Sequence, residues 1–467
     1  MLTVHMEGHQ YSYQIADVIR LFYGVCQVEN DHLYTGVEER DITICSCLSE
    51  GVVTTTVSGD VPAFAASRLA NISESREVKR QLYQILSAVT MKCYPWGSLT
   101  GIRPTIIARE VSDIQELVHH YYVSEDKAKL AVLTAQNEDR ILLQCPPNEA
   151  SIYIGVPFCP SRCSYCSFIS ADASKQLSLL RPYVEAVLHE MKTFFALYRP
   201  QITSLYIGGG TPTTFDDETF RYFLENVFSI INLSDISEIT VEAGRPDTIT
   251  EDKLRVMKEV GVNRICINSQ TLSDTTLVSI GRKHSAGDFA LAYDLAVKTG
   301  FQTMSSDLIA GLPGEKLQDF SHSLDTLLTM RPENITIHTL SKKKRASLTR
   351  ENMQLVDKDR EDTIAAMLLY AEPRMQQEGY MPYYMYRQKD SIGGYENVGY
   401  TVDGHACKYN VAMMSDQRSI IAFGAGSISK RLHGQKRLIR CPNSKDPHEY
   451  IRRVDEMTNR KYEFFME

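Results

Sequence analysis

From residue 150 onward the chain alternates between short apolar runs and amphipathic segments, and few folds accept that order. The runs are SIYIGVPF, ITSLYIGG, EITVEA, RICINS, TMSSDLIAG and NITIHTL. Helical patterns follow the first five, around LRPYVEAVLHEMKTFFALY, DDETFRYFLENVFSII, TEDKLRVMKEVG, DTTLVSIG with DFALAYDLAVKTG, and KLQDFSHSLDTLLTM. Apolar runs of this kind suit strands buried on both faces. Strand–helix alternation makes the strands parallel, joined by crossover helices. The reading is an α/β chain whose centre is a partial (βα)6 barrel. Folds of this kind carry their chemistry on the loops at the C-terminal ends of the strands.

The break that opens this region is QCPPNEA, residues 144–150, where a double proline ends a helical pattern. Before it, LTVHME, DITICSCL and VVTTTVSG read as strands. SESREVKRQLYQILSAVT and VSEDKAKLAVLTAQNEDRILLQ read as helices. Residues 1–148 are therefore expected to form an N-terminal α/β domain and 149–345 the barrel core. Residues 346–467 form a C-terminal α+β extension, with a helix around DREDTIAAMLLYAEPRMQQEG and strands YYMYRQ and SIIAFGAGS. A chain of 467 residues buries a large core without crosslinks. A net charge of −8 argues against a nucleic-acid partner. MLTVHMEGHQYSYQ lacks the pattern of a signal peptide, and no stretch has the length of a membrane span. The expected compartment is the cytoplasm. The 11 cysteines are then free thiols rather than disulfide halves. Cys45 and Cys47, and the scattered Cys26, Cys93, Cys145, Cys266, Cys407 and Cys441, read as structural.

The first barrel strand runs straight into Cys159-Pro-Ser-Arg-Cys163-Ser-Tyr-Cys166. Thiolates are soft ligands that suit iron–sulfur clusters and zinc. A zinc site usually pairs C-x-x-C units, and this chain has no second pair. Three thiolates can hold three irons of a [4Fe–4S] cube and leave the fourth open. An open iron can chelate the amino and carboxylate groups of a methionine moiety.

CxxxCxxC after the first strand of a βα barrel resembles the radical SAM superfamily. With Tyr153-Ile-Gly-Val-Pro-Phe-Cys159 and Tyr165, it is similar to the oxygen-independent coproporphyrinogen III oxidases and their relatives. The likeness covers roughly residues 151–345 in motifs. The N-terminal domain and WGSLTGIRPT resemble the HemZ-type members. The resemblance implies a [4Fe–4S] cluster on Cys159, Cys163 and Cys166, with S-adenosylmethionine (SAM) as cofactor.

Strand two ends in Gly208-Gly209-Gly210-Thr211-Pro212-Thr213. Glycines let the backbone approach a ligand, and successive N–H groups can cradle a carboxylate. Glu242 ends strand three and Gln270 strand four, Arg282 lies in GRKHS and Asp307 in strand five. A charge inside an apolar strand is costly unless paired, which favours a ligand role for Asp307. Members of the branch bind two SAM molecules. The resemblance implies Tyr153, Gly209 and Glu242 at the first. It implies Tyr165, Gly210, Thr211, Gln270, Arg282 and Asp307 at the second, and a backbone contact at Ser341.

By the same resemblance, reduction of SAM yields methionine and a 5′-deoxyadenosyl radical, which takes hydrogen from a propionate β-carbon. Carbon dioxide leaves and a vinyl group forms. The reaction converts coproporphyrinogen III to protoporphyrinogen IX in haem biosynthesis. An electron donor protein is implied, and no protein acid or base is required. Lys342, Lys343, Lys344 and Arg345 could meet propionates or form a solvated charge run. Tyr383, Tyr384 and Tyr386 could line a macrocycle pocket or simply pack. Two positions depart from the well-characterised oxidases. Gly155 stands where they have histidine, and Phe168 where they have a further cysteine. Phe168 is shared with haem-chaperone relatives. The alternatives are thus a haem-binding chaperone, or a radical SAM enzyme acting on haem, with His405 as one candidate haem ligand.

Overall fold

The computed structural model describes residues 1–467 except 30–31, 70–72, 102, 147–148, 167–170, 232–235, 342–345, 347–357, 389–390 and 434–436. It divides into two compact units. The first comprises Met1–Gln136, Thr339–Leu369 and Met385–Asn397, and the second Asn137–His338, Tyr370–Tyr384 and Val398–Glu467. The segment read as a C-terminal extension contributes to both.

Alternating side chains build the sheet of the first unit. Its strands are β1 (Leu2–Glu7), β2 (Gln27–Glu29), β3 (His32–Thr35), β4 (Ile42–Ser49), β5 (Val52–Gly59) and β6 (Phe64–Leu69), in the order β2-β3-β1-β4-β5-β6. β1 and β4 are parallel and the other pairs antiparallel. Ile42 and Ile44 of β4 and Val53 and Val57 of β5 point into one core. The helices Ser12–Tyr23 and Glu74–Thr90 add Ile15, Ile19, Phe22, Val78, Leu82 and Leu86 to it. Trp96, from WGSLTGIRPT, is also buried and donates to Glu396 Oε2 at 2.6 Å. Lys127 pairs with the other oxygen of that carboxylate at 2.5 Å.

The barrel strands are β7 (Ala150–Val156), β10 (Ile202–Gly209), β11 (Glu238–Glu242), β12 (Arg264–Cys266), β13 (Thr303–Ala310) and β14 (Asn334–Thr339). A short pair, β8 (Phe158–Cys159) and β9 (Ala171–Asp172), brackets the cysteine loop. β15 (Met381–Arg387), β16 (Glu396–Thr401), β17 (Ser419–Phe423), β18 (Ile428–His433) and β19 (Arg437–Pro442) complete an eleven-stranded sheet. Its order is β15-β16-β14-β13-β12-β11-β10-β7-β17-β18-β19. Neighbours from β7 to β13 are parallel, as the alternation predicts. β17, from SIIAFGAGS, joins β7 in parallel and carries the sheet past the first barrel strand. The fold is thus mixed α/β with the expected six-strand core.

Helix starts follow the local sequence. Asp216, Thr250, Ser273 and Ser285 accept backbone N–H groups at the starts of the helices Asp217–Ile230, Glu251–Glu259, Asp274–Ser279 and Ala286–Thr299. Among the described residues no helix is long and apolar enough to cross a membrane.

The loop after β13 holds a buried acid. Glu315 accepts from Thr271 Oγ1, and burial pushes its carboxyl from 4.5 up to about 7. An acid raised in the fold favours the folded state while protonated. That stability is full below about pH 4.5 and is lost as pH rises through about 7. Glu315→Gln keeps an acceptor and removes the ionisation. At pH 8 the variant is expected to be more stable than wild type by roughly 1–3 kcal/mol in urea unfolding. At pH 4 the two should coincide, and equal stability at pH 8 would refute the raised value.

Candidate functional site

The cysteine loop leaves β8 at Cys159 and is tied down by the turn at Ile280–Gly281. Ser164 N–H donates to Ile280 O at 3.0 Å and Ser161 Oγ to Gly281 O at 3.2 Å. A side chain at Gly281 would sit 3.3 Å from Arg162 O, so the turn approaches closely. Cys166 N–H donates to Cys163 O at 3.1 Å and curls the loop. Cys163 is buried, and Cys159 and Cys166 are partly exposed. Among the described residues no three His, Cys, Asp or Glu side chains are grouped to hold a single metal ion. A cubane spreads three thiolates over three irons, and a donor set of soft thiolates suits it.

Arg245, in the loop after β11, reaches this segment. Its guanidinium donates to Ser161 O at 3.2 Å, to Ser161 Oγ at 3.1 Å and to Cys163 Sγ at 3.9 Å. Asp247 holds the opposite edge of the fork at 3.1 and 3.2 Å. Burial alone would raise the Asp247 carboxyl, but the His284 bond and the Arg245 charge outweigh it and hold it at about 2.

The groups expected at SAM fall into two sets. The first surrounds Glu242 at the end of β11. Its carboxylate accepts from Tyr206 OH and, at 2.9 Å, from Gly209 N–H. The rings of Tyr206, Tyr153 and Tyr409 cluster beside it, with centroids 4.4 Å apart for Tyr206 and Tyr409 and 5.7 Å for Tyr153 and Tyr409. Gly209 has φ +108°, and a side chain there would meet Tyr153 OH at 2.9 Å. Burial pushes the Glu242 carboxyl up against these hydrogen bonds, and Asp307 adds to the push. A cationic ligand beside it would favour the charged form.

The second set surrounds Tyr165, whose hydroxyl donates to Gln270 Oε1 at 3.1 Å and receives Arg282 at 3.5 Å. Arg282 is buried and donates to Asn268 O at 2.7 Å and Gly244 O at 3.3 Å, leaving Nε without a hydrogen bond. Gln270 has φ +63°, held by backbone bonds to Asp307 and Ile309. Asp307 pairs with His338 at 3.6 Å.

The other expected groups have partners of their own. Thr211 Oγ1 donates to Cys159 Sγ at 3.5 Å, and Gly210 N–H donates to Val156 O. Both brace the cysteine strand. Ser341 belongs to the first unit, where its hydroxyl bonds Gln388. Phe168 and Lys342–Arg345 lie outside the described residues. Tyr383 and Tyr384 are buried packing residues, bonded to Asn410 and Thr336. Tyr386 belongs to the first unit, bonded to Gln388. His405 bonds Thr303, the first residue of β13, so it lies at the opposite strand ends from the cysteine loop. Sequence reasoning missed Tyr206, Tyr409 and Arg245. Tyr206 in an apolar strand and Tyr409 on the helix Lys408–Ser415 read as core aromatics, and a loop arginine reads as surface.

Gly208 keeps the first set open. A Cβ there would lie 2.5 Å from Glu242 Oε2 and 2.8 Å from Tyr206 Cε1. Gly208→Ala should displace the carboxylate and weaken SAM binding by about tenfold or more, a change of roughly 1.4 kcal/mol. Equilibrium dialysis with labelled SAM measures it, and unchanged affinity would remove Glu242 from the ligand set.

Comparison with known proteins identifies the family. Residues 153–327 match the model of the radical SAM superfamily. The chain is 34% identical to the oxygen-independent coproporphyrinogen-III oxidase-like protein HemZ of Bacillus subtilis, over 96% of this chain and 94% of that protein. It is 31% identical to the heme chaperone HemW of the same organism, over 59% of this chain and 70% of HemW. The fold is similar to coproporphyrinogen III oxidase (HemN) from Escherichia coli, with TM-score 0.53 and 18% identity. That match covers 71% of this chain and 73% of the other. A superfamily match beginning at the tyrosine before the cysteine loop, with full-length similarity to HemZ, leads to one assignment: the chain belongs to the radical SAM superfamily, in the HemZ-like branch of the oxygen-independent coproporphyrinogen III oxidase family.

Proposed function

We propose that this protein uses a [4Fe–4S] cluster and SAM to decarboxylate coproporphyrinogen III to protoporphyrinogen IX. The observation that carries the SAM part is the Glu242 carboxylate, held by Tyr206 and Gly209 in a slot that Gly208 leaves open. The porphyrinogen part rests on the likeness to HemZ. Cys159, Cys163 and Cys166 are the cluster ligands in this reading. The bound cofactors supply one-electron cleavage of the sulfonium to a 5′-deoxyadenosyl radical.

The chain's own residues orient and seclude that chemistry. Glu242 faces the cationic part of a first SAM, with Tyr153 and Gly209 beside it. Tyr165, Gln270 and Arg282 form a second hydrogen-bonded set, which supports a second SAM. The guanidinium fork suits a carboxylate. Asp307 completes the second set as acceptor for ribose hydroxyls, and Gly210 and Thr211 belong to it. Each decarboxylation removes one hydrogen atom and carbon dioxide from a propionate and passes one electron to an acceptor. An electron donor protein supplies the reducing electron, and the compartment is the cytoplasm.

A haem chaperone is the second reading, favoured by the likeness to HemW and by Gly155. A Cβ at Gly155 would meet Ala425 O and Tyr153 Cε1 at 3.4 Å each, ordinary van der Waals contact. Anaerobic incubation with SAM, a reductant and coproporphyrinogen III, read by mass spectrometry, separates the two. Loss of two carboxyl groups with formation of 5′-deoxyadenosine supports the enzyme. Stoichiometric haem binding without turnover replaces it with the chaperone.

A further inference from the structure

We propose that Arg245 is a positioning residue for the cluster: it fixes the cysteine loop and stabilises the reduced cluster through the Cys163 thiolate. The inference rests on the reading that Cys159, Cys163 and Cys166 hold a cluster. Arg245 is 2% exposed, so its charge has little access to water. Its two terminal nitrogens grip Ser161, midway between Cys159 and Cys163, through both the backbone oxygen and the hydroxyl. One of them also points at Cys163 Sγ, 3.9 Å away. The other edge of the fork is clamped by Asp247, so the guanidinium cannot rotate off the loop.

A cation in this position acts on both loop order and electron affinity. Reduction adds one negative charge to a cluster already bonded to anionic thiolates. A buried positive charge and an N–H directed at a ligating sulfur both favour that added electron. Arg282 supplies an independent observation. It is a second buried guanidinium in the same site, bonded to two carbonyl oxygens and a phenol and facing Cys163 as well. Two buried cations are costly in an apolar interior unless each is paired. Anionic thiolates and a reduced cluster offset that cost.

The test compares wild type, Arg245→Gln, Arg245→Lys and Asp247→Asn after anaerobic reconstitution. Iron and sulfide content is measured first, then the midpoint potential by spectroscopic redox titration. Arg245→Gln should hold its electron at least tenfold less tightly, a fall of about 59 mV for one electron. Arg245→Lys should recover part of the loss. Asp247→Asn removes a nearby negative charge and should shift the potential the opposite way. It keeps the sign test available if Arg245→Gln loads no iron. Equal potentials across loaded variants would overturn the proposal. Failure of wild type itself to bind iron and sulfide would instead overturn the cluster reading beneath it.

Discussion

Cys163→Ala is expected to emerge from anaerobic reconstitution colourless and to form no 5′-deoxyadenosine from SAM, a loss of roughly three orders of magnitude or more. The physical reason is the position of this thiol. Cys163 is the buried member of the three, and it is the one that faces Arg245. Removing it takes away one iron ligand and the sulfur that Arg245 faces, leaving Asp247 as that guanidinium's anionic partner. Cys441→Ala is the control. That thiol is also buried but lies in β19 at the far edge of the sheet, and its loss should leave colour and cleavage intact. Colour retained in Cys163→Ala would move the metal site elsewhere.

The second large effect lies outside the site. Lys461, on the helix Val454–Met466, and Glu190, on the helix Leu177–Leu197, form an ion pair in which both side chains are wholly buried. Burial pushes the Lys461 ammonium below its ordinary value, while the Glu190 charge works against that push. The Glu190 carboxylate also accepts from Gly424 N–H at 3.0 Å, Asn443 Nδ2 at 2.9 Å and Tyr450 OH at 2.5 Å. One carboxylate thus joins the first barrel helix, the turn after β17 and the C-terminal helices. Lys461→Met leaves that carboxylate charged and unpaired in the interior. It should cost about 3–5 kcal/mol in urea unfolding. Adding Glu190→Gln should restore a large part, because a neutral amide keeps acceptor bonds without the charge. A single variant as stable as wild type would show that the pair does not hold the C-terminal helix.

Much of this protein was legible before any coordinates. The six apolar runs became β7, β10, β11, β12, β13 and β14, because a strand buried on both faces must be apolar along its length. The strand YYMYRQ was also foreseen, as β15, but its tyrosines turned out to be packing groups. Tyr384 lies over Gly399, where a Cβ would come within 1.9 Å of its ring. Strand periodicity says which residues share a face, and it says nothing about what that face meets. The helix Ser12–Tyr23 escaped the reading altogether. Its N-terminus carries no side-chain cap, and only Gly24 at φ 76° marks its end.

Thr211 shows the same division at finer scale. The resemblance implies a ligand contact at Thr211, and in the fold its hydroxyl donates to Cys159 Sγ. Neighbouring residues in one loop can face opposite ways, and the turn geometry decides which.

By itself the sequence determined the cysteine loop, the six core strands and the residues at their ends, since each depends on spacing within a few neighbouring residues. Tertiary structure alone decided which distant side chains complete the site and lock the fold. Arg245 meets Cys163 across 82 residues of chain, and Lys461 meets Glu190 across 271. No local pattern encodes such partners. They are brought together by the stacking of parallel strands and by the need to satisfy every buried charge.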